Sequence, residues 1–188
     1  MAITRGTGAR PNALPRELSV SVRATSRATP EQVFDVLADL SSHAEWGGER
    51  QRPKARLVSI GAPAGPASVG TEFHSSGTDP MGRFTDRSVV TEASRPAVFE
   101  FVTDARLETK RGRSTDWTLI HRYELEPQSD GCRLDYTIRL TRVSDLFGGL
   151  VLFKVPGLRA LGMKASAALA RRGVRNLTQL AEERAGIR

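Results

Sequence analysis

Residues 114–142 read STDWTLIHRYELEPQSDGCRLDYTIRLTR. In the first half, Trp117, Leu119, His121, Tyr123 and Leu125 fall on one side, while Thr118, Arg122 and Glu124 are among those facing the other way. In the second half Leu134, Tyr136, Ile138 and Leu140 repeat the pattern. A period of two over this length marks a strand with one buried face. Asp130-Gly131 between two such runs marks a tight hairpin. The stretch therefore predicts two antiparallel strands whose shared buried face carries aromatic side chains and a histidine.

Working upstream, further runs of strand character follow one another without intervening helices: VFEFVTD (98–104), RFTDRSVVTEA (83–93), VGTEFHSS (69–76) and ARLVSIGA (55–62). A basic loop, RLETKRGR, separates 98–104 from 114–127, and ELSVSVRATSRA from Glu17 alternates as a first strand. Strands joined by short loops make an antiparallel meander. Two helices flank it. In ATPEQVFDVLADL, Thr29 caps, Pro30 opens, and Val33, Val36, Leu37 and Leu40 form an apolar stripe. The segment 157–185 carries a second stripe in which Leu158, Leu161, Ala165, Ala168, Leu169, Leu177, Leu180 and Ala181 are expected to face the sheet. The order strand, short helix, about six strands, long helix excludes a parallel βαβ architecture. Residues 1–16 have no period and read as a flexible tail, leaving 17–188 as one domain.

Composition narrows the function classes. The chain has 188 residues, 39% apolar and 26% charged, which suits a soluble globular protein with a sizeable core. Cys132 is the one cysteine, so no intrachain bridge forms, and a cytoplasmic location is expected. The opening residues MAITRGTGARPNALP hold no signal-peptide core. The longest apolar stretch, Leu146 to Phe153, has eight residues against the roughly 20 a membrane span needs. The net charge of +7 is concentrated in 142–188, which alone carries +6. Such a segment either solvates a helix face or attracts an anionic partner such as a lipid surface. No nucleic-acid motif accompanies it, so no nucleic acid is expected, and the protein is expected to be a monomer or homodimer.

A bent antiparallel sheet needs its apolar face covered, and the terminal helix is the one element large enough. The predicted inner stripe of that helix mixes leucines such as Leu161 with the small Ala165, Ala168 and Gly173, and is expected to face large side chains on the strands: Phe73, Phe99, Phe101, Trp117, Leu119 and Ile138. Either a hollow remains in which a hydrophobic small molecule binds, or the two sets interlock into a solid core. His121, mid-strand between Trp117 and Tyr123, is the candidate acid/base, with Tyr123 or Tyr136 holding a carbonyl oxygen; the alternative is a histidine that bonds locally and fills core. Asp86 shares its strand face with Phe84, Ser88 and Val90, and either orients a ligand or pairs with an Arg. Trp46 forms a cavity lip or staples helix to loop. DLFGGLVLFKVPG (145–157) is a gate, a membrane-dipping patch, or the buried lead-in to the helix. The chain has no HExxH, GxSxG or P-loop, and no dinucleotide fingerprint, so no cofactor is expected. His43, His74 and His121 lie far apart with no ligand spacing, so no metal is expected either. Asn176-Leu177-Thr178 matches a glycosylation acceptor by chance.

The succession of these motifs resembles the START-like proteins of the polyketide cyclase/dehydrase and lipid-transport (SRPBCC) superfamily. TPEQVFDVLADLSSHAEW matches that family's opening helix and its D-x6-W segment, here Asp39 and Trp46. VGTEF (69–73), VVTEASRPAVFEF (89–101), YELEPQSDGCRLDYTI (123–138) and the terminal RGVRNLTQLAEE follow in the family's order, so that the resemblance spans about 17–185. It implies an α+β helix-grip fold, a curved seven-stranded antiparallel sheet wrapped around the C-terminal helix and enclosing a hydrophobic cavity. The family includes aromatase/cyclases, lipid and sterol carriers, hormone binders and chaperone co-regulators. The resemblance therefore implies either a carrier or sensor of a lipid, acyl chain, isoprenoid or polyketide-like molecule, or a cyclase/dehydrase. A third reading is a module that docks through its basic helix. Kinship of fold does not choose among them.

Overall fold

A computed structural model of the chain describes residues 18–51, 55–144 and 156–187. The predicted tail (1–16) and most of the 145–157 segment lie outside the described residues. Seven strands, β1 (Leu18–Ser26), β2 (Arg56–Gly61), β3 (Glu72–Thr78), β4 (Gly82–Ser94), β5 (Val98–Thr109), β6 (Ser114–Gln128) and β7 (Gly131–Val143), accompany two α-helices, α1 (Pro30–Ala38) and α2 (Pro156–Arg184). The strands form one antiparallel sheet in the order β1-β7-β6-β5-β4-β3-β2. This is the helix-grip architecture expected from the sequence: a meander from β2 to β7, with β1 paired to the last strand. No helix among the described residues is long and apolar enough to cross a membrane.

Local chemistry explains the element boundaries. Thr29 caps α1 in a box with Gln32: the Thr29 N–H donates to Gln32 Oε1 at 2.9 Å and the Gln32 N–H to Thr29 Oγ1 at 3.4 Å. Such a cap contributes about 1 kcal/mol. At the β6–β7 turn, Gly131 has φ +132°, and a Cβ there would stand 1.9 Å from the Ser26 carbonyl oxygen, so glycine is required both by conformation and by space. β5 runs on to Thr109, where the sequence pointed to a loop after residue 104, because Ala105 and Leu107 continue the buried alternation behind outward-facing Arg106 and Glu108. After α1 come a 3₁₀ turn (Leu40–Ser42) and a π-helical turn (Glu45–Glu49) carrying Trp46.

Both helices lie on the same face of the sheet, its inner face. α1 crosses β5, β6 and β7, while α2 runs against β1, α1 and the π-helical turn. The orientation of α2 corrects the sequence reading. Its sheet-facing stripe is Met163, Ala167, Ala170, Val174, Leu177 and Ala181. Leu161, Ala165 and Ala168 point away and are exposed, as is Leu169. The two candidate stripes are equally apolar over the first three turns. Only the former stays apolar when continued at helical spacing; the latter runs into Arg172 and Arg175.

Candidate functional site

The inner face divides in two. Under α1 it is solid: Phe34 meets Phe99 edge-on with ring centroids 5.8 Å apart, and Val33, Leu37, Phe99, Leu134 and Leu177 are sealed from solvent. Phe99 is thus core, spent against α1. Phe73 is likewise buried, its ring 5.3 Å from that of Phe101 and at a steep angle to it. Further along the face Trp117, Leu119 and His121 of β6 and Ile138 and Leu140 of β7 are only half-buried. Met163, Ala167 and Ala170 of α2 are half-buried too. A bulge at Thr118/Leu119 bends the sheet here.

Strand register builds a polar chain inside this apolar surface. Phe101, His121 and Ile138 stand opposite one another on β5, β6 and β7, and Phe99, Tyr123 and Tyr136 form the next inward row. The His121 ring stacks on Phe101 at 4.6 Å and 13°, and Tyr123 stacks on Tyr136 at 4.5 Å. His121 Nδ1 lies 2.8 Å from Tyr136 Oη. Either the Tyr136 hydroxyl donates to Nδ1 or Nδ1–H donates to the hydroxyl oxygen, according to the tautomer of the neutral ring. Burial pushes His121 down to about 3, with His43 adding to the shift, and pushes both phenols up. At neutral pH all three groups are uncharged. The chain can donate a hydrogen bond but is a feeble base.

His43 is a second buried imidazole, whose Nε2–H donates to the Leu37 carbonyl at 2.9 Å. Its ring lies 4.7 Å from that of Trp46, and burial lowers it to about 4. The sequence reading gave His43 no role; its three-residue spacing from Trp46 on a helical turn was the available signal. Trp46 is buried beside it, and its indole N–H has no partner among the described residues. The Asn176 side chain donates to the Trp46 carbonyl at 3.0 Å and to the Arg50 carbonyl at 3.1 Å, fixing the π-helical turn to α2. Buried in this way, Asn176 is no glycosylation acceptor.

Phe84 and Asp86 occupy the inner face of β4 and are half-buried. Among the described residues Asp86 is paired with no arginine: its Oδ2 accepts from Ser75 Oγ at 3.1 Å and its Oδ1 is buried without a partner. Burial raises its carboxyl to about 6, against the Ser75 hydrogen bond that lowers it. Neighbouring Arg87 faces the opposite way and bonds Glu72. Leu161, Ala165 and Ala168, predicted as lining, stand on the outer side of α2. Trp117, Leu119, His121 and Ile138 are the predicted residues that the structure gathers into one half-open row. Among the described residues no three His, Cys, Asp or Glu side chains come together as a metal site.

Comparison with known proteins bears on the fold and the family. A family model described as polyketide cyclase / dehydrase and lipid transport matches residues 17–182. Among solved structures, a Thermus thermophilus protein is similar over 87% of this chain and 97% of its own, at 15% identity and TM-score 0.62. An uncharacterized Rhizobium leguminosarum protein is similar over 89% and 96%, at 12% identity and TM-score 0.61. DynU16, of the dynemicin biosynthetic locus, is similar over 87% of this chain and 47% of its own, at 14% identity and TM-score 0.52. No curated protein matches in sequence.

Proposed function

Because the chain belongs to the polyketide cyclase/dehydrase and lipid transport family, we propose that it holds a hydrophobic small molecule between the β6–β7 inner face and α2, as a cytoplasmic carrier or sensor. The guest is a lipid, acyl chain, isoprenoid or polyketide-like molecule. One observation carries this reading: Trp117, Leu119, Ile138 and Leu140, with His121 among them, form a contiguous patch that remains partly open while the part of the inner face under α1 is sealed. An apolar surface with one oriented polar group suits a guest with a single polar group, bound through the His121 imidazole. Native mass spectrometry of freshly purified protein tests it. A copurified apolar ligand that is lost from Leu119→Glu is expected; bare wild-type protein that also ignores a panel of fatty acids and isoprenoids would refute it.

The second reading is a cyclase/dehydrase, favoured by the His121–Tyr136 hydrogen bond, with Tyr123 stacked on Tyr136, and by the likeness to a protein of a biosynthetic locus. It ranks below carriage because general-base catalysis works best with a pKa near the working pH, and His121 sits near 3. His121→Phe separates the two. Turnover that vanishes while ligand stays bound identifies the enzyme.

The outer side of α2 supports a weak contact with anionic lipid. Leu161 is 66% and Leu169 41% exposed, and Arg159, Lys164, Arg171, Arg172 and Arg175 share this helix with no acidic residue before Glu182. Flotation with phosphatidylglycerol vesicles that is abolished by 0.5 M salt, on the order of a 4 Å screening length, is the expected result. Absence of flotation at low salt removes the contact.

A further inference from the structure

We propose that Asp86 is the docking point for a cationic amine carried by the apolar guest, an inference that rests on the binding reading above. Asp86 stands on the inner face of β4, opposite Ala105 of β5, which in turn stands opposite Trp117 of β6. From the elements packed around it, Ser75, Thr103, Ala105 and Trp117 share its face, and none of these is charged. The nearby arginines spring from outward positions and are engaged there: Arg87 with Glu72 and Arg106 with Asp116. One carboxylate oxygen is satisfied by Ser75, and the other is buried without a partner among the described residues.

A carboxylate on an apolar surface with no cation beside it lowers the stability of the fold, and no pairing among the described residues compensates here. Groups kept in that condition belong to ligand sites more often than to scaffolds. The missing partner is a cation. A hydroxyl would satisfy Oδ1 but leave the charge uncancelled, whereas an ammonium does both. Ala105, buried between Asp86 and Trp117, is the smallest side chain of that row, and an indole is the aromatic surface that most favours a cation. Burial raises Asp86 to about 6, which leaves it mostly ionised above pH 7.

The location also sizes the guest. The Asp86–Ala105–Trp117 row lies four residues along β6 from His121. At ~3.3 Å per residue and ~4.8 Å per strand, Asp86 and His121 stand roughly 16 Å apart over the sheet. A guest touching both is an elongated amphiphile, an amine at one end and a polar group toward the other.

The full-length protein at pH 8, preloaded with N-phenyl-1-naphthylamine, is titrated with dodecylamine, dodecanol and dodecyl methyl ether, following displacement of the fluorophore. Dodecylamine is expected to bind about tenfold more tightly than dodecanol, a typical gain for a charge-assisted pair over a neutral one. In Asp86→Asn that preference disappears, while dodecyl methyl ether binds as it does to wild type. Equal affinity for amine and alcohol in wild type, or an amine preference that survives in Asp86→Asn, overturns the proposal while leaving the binding reading intact. Failure of the fluorophore and of all three probes to bind removes both.

Discussion

An aspartate whose carboxyl titrates near 6 in the fold, against 3.8 ordinarily, binds its proton more tightly folded than unfolded. Its contribution to stability is present below the unfolded value and is lost as pH rises through about 6. Asp86→Asn is therefore expected to stabilise the protein at pH 8, by on the order of 1–2 kcal/mol once partial exposure is allowed for, with the gain shrinking toward zero at pH 4. Urea unfolding at the two pH values measures this, and a variant no more stable than wild type at pH 8 contradicts it. His43 and His121 run the other way. Their folded values, about 4 and about 3, lie below the ordinary 6.5. Their contribution is full above 6.5 and lost as pH falls toward those values, at up to about 1.4 kcal/mol per pH unit for each ring. His121→Phe should flatten the acid-side loss of stability between pH 6.5 and 4.5 by about one such ring's share. An unchanged slope would mean that His121 is already hydrated or charged in the fold.

The terminal helix has two jobs along its length. Its last three turns are structural. Glu182 accepts from Ser26 Oγ at 3.1 Å and from the Arg27 backbone N–H at 2.9 Å, and Leu177 is fully buried. Its first turns pack Met163, Ala167 and Ala170, half-buried, against the core and turn Leu161 outward. Leu177→Ala should cost about 2–5 kcal/mol, while Leu161→Ala should stay within about 0.5 kcal/mol, as read by thermal or urea unfolding. Comparable losses at both sites would restore the inward placement of Leu161. Asn176→Ala frees the Trp46 and Arg50 carbonyls from their shared donor and should cost about 1–3 kcal/mol. A red shift of tryptophan emission is expected as the π-helical turn loosens, although Trp117 emits as well. A Trp117→Phe background isolates the signal.

At the scale of the whole molecule, a bound guest adds stability by mass action, about 2.7 kcal/mol at a ligand concentration one hundred times Kd. Protein stripped of apolar ligand by organic extraction and refolded should melt lower than protein as isolated, and added fatty acid should restore the difference. Identical melting in both states speaks against an occupied hollow. The strand count, the meander, the capped first helix and the shared face of His121, Tyr123 and Tyr136 were legible in the chain, because alternation and turn chemistry are local and each strand declares its own two faces. The overrun of β5 to Thr109 was written in Ala105 and Leu107 but obscured by the charges between them. The bond from Asn176 to the π-helical turn spans more than a hundred residues and leaves no local trace. The phase of α2 depended on following one stripe over its full length, since two stripes are equally apolar at its start. Whether Asp86 met an arginine was beyond the sequence, since pairing depends on which side chains the register of β3, β4 and β5 brings to one face. Periodicity in the sequence determined which residues face inward on each strand; which of those end sealed under α1 and which stay open beside α2 was decided only by where two helices come to rest on one sheet, a matter of long-range packing that no local pattern encodes.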